Sequence, residues 1–224
     1  MENRKAVSTV VELSIAWGGV VLLLSPADRL LGPSGRLATQ LLEQLVLWVL
    51  AGLIVAIVVF WEQQPLASMN LRPFHWSSVA WGFLLAAVLM CVVVPSLTWA
   101  LSVAGIAGFE AGMAKALEAP VGVRIIAVIT AGIVEDTLFI GYAFTRLARV
   151  SGNGWLAGAT AVVVASLLHL PHWGVGPVLA YVFTGGLAVG FFAWRRDLLA
   201  NIVAHVTVDG MALVVVPMLT RGID

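Results

Sequence analysis

Long apolar runs separated by short polar segments make up nearly the whole chain, and nowhere do apolar and polar residues alternate with period two. A helix needs about 20 apolar residues to cross a hydrocarbon core about 30 Å thick. The runs therefore predict about seven spanning helices: Val7–Leu24, Leu42–Trp61, Ser77–Val103, Val123–Leu147, Trp155–Trp173, Val175–Trp194 and Leu198–Leu219. The third is overlong and carries Pro95, which predicts a kink or a strong tilt. Tryptophans recur near the run ends (Trp48, Trp61, Trp76, Trp81, Trp99, Trp155, Trp173, Trp194), as expected of headgroup-level anchors. Residues Ile106–Glu118, with Glu110, Lys115 and Glu118, break the pattern and predict a short interfacial helix or loop. No internal repeat is visible, so a single transmembrane domain over residues 1–224 is expected.

Composition narrows the class to an all-α, polytopic helical membrane protein. The chain is 61% hydrophobic and 11% charged, against about 45–50% and about 25% in soluble domains. Such a chain cannot cover itself with polar groups, so lipid is its solvent. A β-barrel would need alternating strands, and these runs are continuously apolar. The net charge of zero excludes a basic nucleic-acid surface. Cys91 is the single cysteine, which excludes an intrachain disulfide and a cysteine metal cluster. The basic start and apolar run of the N-terminus resemble a signal peptide, but Glu12 interrupts the run, and a retained first span is expected. Arg146, Arg149, Arg195 and Arg196 share one side and the loop around Pro171 has no Lys or Arg, which favours the N-terminus inside. The expected setting is a prokaryotic inner membrane.

Three spans carry ionisable groups at depth. Glu135 and Asp136 lie near the middle of the fourth, where an ionised carboxylate costs on the order of 2.5 kcal/mol or more. The fifth ends with His169, Pro171 and His172. In the seventh, Asn201, His205 and Asp209 stand at i, i+4 and i+8, on one helix face. Asn201 or Ser166 alone reads as a helix–helix hydrogen bond, and His172, beside Trp173, reads as interfacial. For Glu135 the plain reading is an ion pair with a neighbouring span; the combination of acids and histidines on three spans points instead to chemistry. Gly132, Gly141, Gly158, Gly185, Gly186 and Gly190 would let these spans approach closely. There is no H-E-x-x-H zinc motif and no G-x-S-x-G nucleophile elbow. Counted at about 1.5 Å per residue, Glu135 and His205 fall near mid-depth and His169 nearer the outer end, so tilt or a shifted fifth span is needed to join them.

A glutamate pair, a histidine on the next span and H-x-x-x-D two spans on resemble the CAAX-protease-and-bacteriocin-processing family, similar to the type II CAAX prenyl endopeptidases. Its first motif, E-E-x-x-x-R, stands here as Glu135-Asp136-Thr-Leu-Phe139-Ile140. Its second, F-x-x-x-H, stands as Ala165 to His169, and its third, H-x-x-x-N/D, as His205 to Asp209. The likeness covers about residues 120–215. Asp136 replaces the second glutamate, Ala165 the phenylalanine and Ile140 the arginine. Arg146 lies about 9 Å further along the helix, too far to stand in.

The resemblance implies an intramembrane endopeptidase acting on a membrane-associated peptide or protein. Glu135 and His169 would activate water, and His205 with Asp209 would stabilise the oxyanion. Asp136 and Asn201 would support them; without the arginine, Asp136 is expected to hold a proton and to donate a structural hydrogen bond to a backbone carbonyl or a polar group on a neighbouring span. No cofactor is favoured. The alternative is zinc held by Glu135, His169, His205 and Asp209. Two other functions compete with the endopeptidase. One, favoured by the missing arginine, is a non-catalytic relative binding a peptide or protein partner in the same cavity, in immunity or regulation. The other is a small proton-linked transporter, which the lack of repeated halves disfavours.

Overall fold

An apolar helix in lipid satisfies its own backbone, so the architecture reduces to how such helices pack. The computed structural model describes residues 36–220, with Leu13 and Gly18 in addition. The expected span Val7–Leu24 otherwise lies outside the described residues, as does the side chain of His172.

The described residues form helices without strands. Helix α1 is Arg36–Ala56, continuing through a π-helical turn, Ile57–Trp61. Helix α2 is Trp76–Val88, then a π turn over Leu89–Val93, then Val94–Val103. The π turn lies immediately before Pro95, which lacks an N–H, and it accommodates the break that the proline imposes. Short α3 covers Glu110–Leu117. Helix α4 runs from Val121–Thr130 through a π-helical stretch, Ala131–Phe144, into Thr145–Ser151. Helices α5 and α6 are Gly154–Trp173 and Val175–Arg195. Helix α7 is Leu198–Gly210, continued by Met211–Val215 in π form and Val216–Thr220.

Five of these segments are long and apolar enough to cross a membrane: Leu37–Trp61, Trp76–Val103, Gly154–Pro171, Val175–Arg195 and Leu198–Thr220. Each lies within a few residues of an expected span. Helix α4, which carries the acidic pair, is the core of the bundle, in contact with α1, α5 and α7. Its Val134, Leu138 and Tyr142 are fully buried and pack with Leu47, Ile54 and Val58 of α1. Ile140 and Phe144, on another side, pack with Val162, Val189, Phe192 and Leu198.

Helix α7 is wedged between α2 and α4, and small residues allow it. A Cβ on Gly82 would meet Val203 Cβ at 2.6 Å and Ala200 O at 2.7 Å; one on Gly132 would strike Val206. Gly141 faces Leu198 and Gly158 faces Val189 in the same way. Gly186 and Gly190 meet nothing within 4 Å, and Gly185 makes only ordinary contact with Val162. The expected close approach thus holds at three of the six named glycines, and Gly82 joins them from a span that had no distinguishing motif.

Short connections set the helices antiparallel. Asn153 Oδ1 accepts from the Trp155 and Leu156 amides at 2.9 and 3.2 Å, starting α5. Gly174, at φ +83°, turns the chain alone between α5 and α6. Asp197 caps α7 by accepting from Ala200 N at 3.2 Å. Trp61, Trp76, Trp99, Trp155 and Trp194 are exposed, as anchors require. Three others make specific contacts: Trp48, itself exposed, donates to Thr130 Oγ1 at 3.0 Å, Trp81 lies under the Arg195 guanidinium at 4.7 Å, and Trp173 lines a cavity.

Candidate active site

The site begins with the backbone of α4. A π-helix replaces i→i−4 bonds by i→i−5 bonds and occurs mostly as single turns, often at functional sites. Here it extends over fourteen residues and contains the whole first motif. Threonines supply additional donors along it: Thr137 Oγ1 donates to Ile133 O at 2.6 Å, and Thr145 Oγ1 to Gly141 O at 2.6 Å and Tyr142 O at 2.9 Å. Such side chains re-satisfy carbonyls that an altered helix frees in an environment without water.

From this helix Glu135 and Asp136 reach different partners. Glu135 Oε2 lies 3.7 Å from His169 Nε2 on α5. The other ring nitrogen, Nδ1, is 2.7 Å from Ala165 O one turn back. A carbonyl only accepts, so Nδ1 carries a proton and Nε2 is the nitrogen that faces Glu135. The apparent depth mismatch of His169 comes from measuring each span by itself. Helices α4 and α5 form an antiparallel hairpin, and Glu135 lies as many residues before its turn, Ser151–Asn153, as His169 lies after it.

Asp136 is buried, and its Oδ1 lies 3.0 Å from His205 Nδ1 on α7. On the other side of the same ring, Nε2 is 3.5 Å from Asp209 Oδ2. His205 is thus bracketed by two carboxylates. Asn201, one turn earlier, donates from Nδ2 to Ala188 O at 3.0 Å and ties α7 to α6. Ile140, at the position of the family's arginine, is buried and apolar. Arg146 is occupied elsewhere. Its Nε donates to Glu62 Oε1 at 2.9 Å, its Nη2 pairs with Glu62 Oε2 and lies 3.2 Å from Ser68 Oγ, and its guanidinium stands over the Tyr142 ring.

Glu135, Asp136, His169, Asn201, His205 and Asp209 line a single cavity of about 550 Å³. A smaller one, of about 160 Å³, shares Glu135, His169, His205 and Asp209 with it. Trp173 and Leu213 also line both hollows. Tyr181 of α6 lines both. Sequence reasoning missed this residue, because a tyrosine six positions into an apolar run reads as an interface anchor or filler. Among the described residues no three His, Cys, Asp or Glu side chains are arranged to hold a metal ion. The donors are committed pairwise: one His169 nitrogen to a carbonyl, both His205 nitrogens to carboxylates.

The fold defines a polytopic all-helical membrane protein in which acids and histidines from three helices are gathered around one cavity. Residues 116–211, the stretch that holds the whole cluster, match the family model described as type II CAAX prenyl endopeptidase Rce1-like. The family is one of proteases, so the kind of function it supports is intramembrane proteolysis. No curated protein and no solved structure matches the chain.

Proposed function

We propose that the protein is an intramembrane endopeptidase that hydrolyses a peptide bond in a membrane-associated peptide or protein, using water activated by Glu135 and His169. The observation that carries this reading is the approach of Glu135 Oε2 to His169 Nε2 at 3.7 Å; with the His169 ring neutral the two are facing acceptors. That separation leaves both lone pairs seeking donors. A water lodged against them donates one O–H to each and turns its own lone pair toward a bound carbonyl.

Attack forms the bond from water oxygen to carbonyl carbon while Glu135 takes the released proton. The carbonyl π electrons move onto oxygen, and the charge that develops there is stabilised by donors on the opposite wall. As the imidazolium between two carboxylates, His205 serves as that donor through Nε2–H, the nitrogen with the longer carboxylate contact, while Nδ1–H donates to Asp136. The intermediate collapses as the leaving nitrogen receives the proton from Glu135. No step passes through a metal, because the donor set is committed in pairs.

Cleavage of a panel of membrane-associated peptides by the purified protein tests the reading, with Glu135→Gln as the control. Gln keeps the shape and loses the proton acceptor, so turnover is expected to fall about 100-fold or more with the fold unchanged. If Glu135→Gln cleaves as fast as the wild type, the proposed base is wrong.

A further inference from the structure

Tyr181 stands in the wall shared by both hollows, on α6, one helix away from each proposed catalytic element. Its ring is held from three sides: His169 at 4.5 Å between centroids, Phe109 at 6.3 Å and Trp173 at 6.5 Å, the latter two edge-to-face. That packing fixes the ring and hence the direction of its hydroxyl. Yet the hydroxyl makes no hydrogen bond to any described residue. A phenolic O–H deep in an apolar bundle normally finds a partner, because leaving it unmade costs its desolvation. The chain has two tyrosines, and the other, Tyr142, is fully buried in contact with the Arg146 guanidinium. Tyr181 is the one that lines the cavities.

The two hollows meet at Glu135 and His169, where the attacking water is placed, and at His205 and Asp209. His205 is an encumbered donor, since carboxylates face both its nitrogens. A charge-poor donor with no protein partner is better suited to wait for a developing oxyanion, because nothing competes for its proton. Resting on the peptidase reading above, we infer that Tyr181 donates its hydroxyl to the scissile carbonyl oxygen as a second oxyanion donor beside His205. No covalent bond to Tyr181 forms; its proton is shared with the oxygen as charge develops and stays on the phenol when the intermediate collapses.

The test compares two ligands on the full-length protein in lipid nanodiscs by titration calorimetry. An apolar tripeptide aldehyde takes up water to give a gem-diol that imitates the tetrahedral intermediate; the corresponding peptide alcohol cannot. Tyr181→Phe keeps the ring and its stacking on His169 but removes the donor. The aldehyde Kd is expected to rise about tenfold or more, while the alcohol Kd stays within about twofold. Equal effects on the two ligands, or none on either, would overturn the inference and leave Tyr181 as a wall for His169. Failure of the wild type to bind either ligand would instead bring down the peptidase reading, and this inference with it. A melting curve for Tyr181→Phe matching the wild type confirms that the comparison is made on folded protein.

Discussion

At the scale of single residues, the adjacent acids of the first motif have separate tasks. Glu135 points to the histidine of α5 and Asp136 to that of α7, because consecutive residues of a helix project in different directions. Asp136 keeps His205 in place through one hydrogen bond at 3.0 Å. Asn in that position still offers an oxygen acceptor to Nδ1–H but without charge assistance, which about halves the bond's strength. Asp136→Asn is therefore expected to lower turnover by no more than about tenfold, since a factor of ten corresponds to about 1.4 kcal/mol. A loss as deep as that of Glu135→Gln, measured side by side, would show that Asp136 itself takes part in proton transfer. At the same scale, Asn201 is what a lone amide in a span usually is. Its bond to Ala188 O joins two helices, and it touches the cavity as a neighbour of the chemistry.

Among the elements, α7 has the most to position, and it is set by α2 and α4 jointly. Gly82 and Gly132 are the two points at which it comes closest to them. Neither glycine lines the cavity, but each sets how near His205 comes to Asp136. Gly132→Leu would push against Val206, one residue from His205, and backbone would have to move with it. Overpacking of this kind costs about 1–3 kcal/mol. The expected outcome is a lower melting temperature together with lost turnover, while Gly190→Leu, where nothing lies within 4 Å, leaves both as they are. Thermal melts of the two variants in the same detergent make the comparison. A further clamp acts at the other end of α4, where the Arg146 guanidinium holds Glu62 and Ser68 from the segment following α1. Removing one partner of such a buried pair leaves the other uncompensated, at about 3–5 kcal/mol. Arg146→Met is expected to destabilise the bundle without altering the site, which a thermal melt detects.

For the whole molecule, the interior is polar where lipid cannot reach it, and the outer faces of the five spanning segments are apolar. The cavity's acids and histidines contact one another as Glu135–His169 and as Asp136–His205–Asp209, and among the described residues no three are arranged to hold a metal ion. Turnover is accordingly expected to survive prolonged treatment with EDTA or 1,10-phenanthroline at millimolar concentration. Loss on chelation with recovery on added zinc would replace the water-and-carboxylate route by a metal one.

Hydrophobic run lengths determined the all-helical membrane class and most element boundaries, because a bilayer fixes how many apolar residues a helix must carry. Spacing alone put Asn201, His205 and Asp209 on one face of α7, since helical periodicity is local. The three motif segments were likewise visible, and the family match falls on the same stretch. Pairing was not visible. That Asp136 rather than Glu135 meets His205, that Arg146 reaches Glu62, and that Tyr181 rather than another aromatic faces the cavity all depend on how helices are rotated against each other. That rotation follows from packing at sites such as Gly82 and Val203, far apart in the chain. The π-helical form of α4 changes the angular spacing of its motif residues, so even their relative directions were settled only when the surrounding helices held that backbone in place.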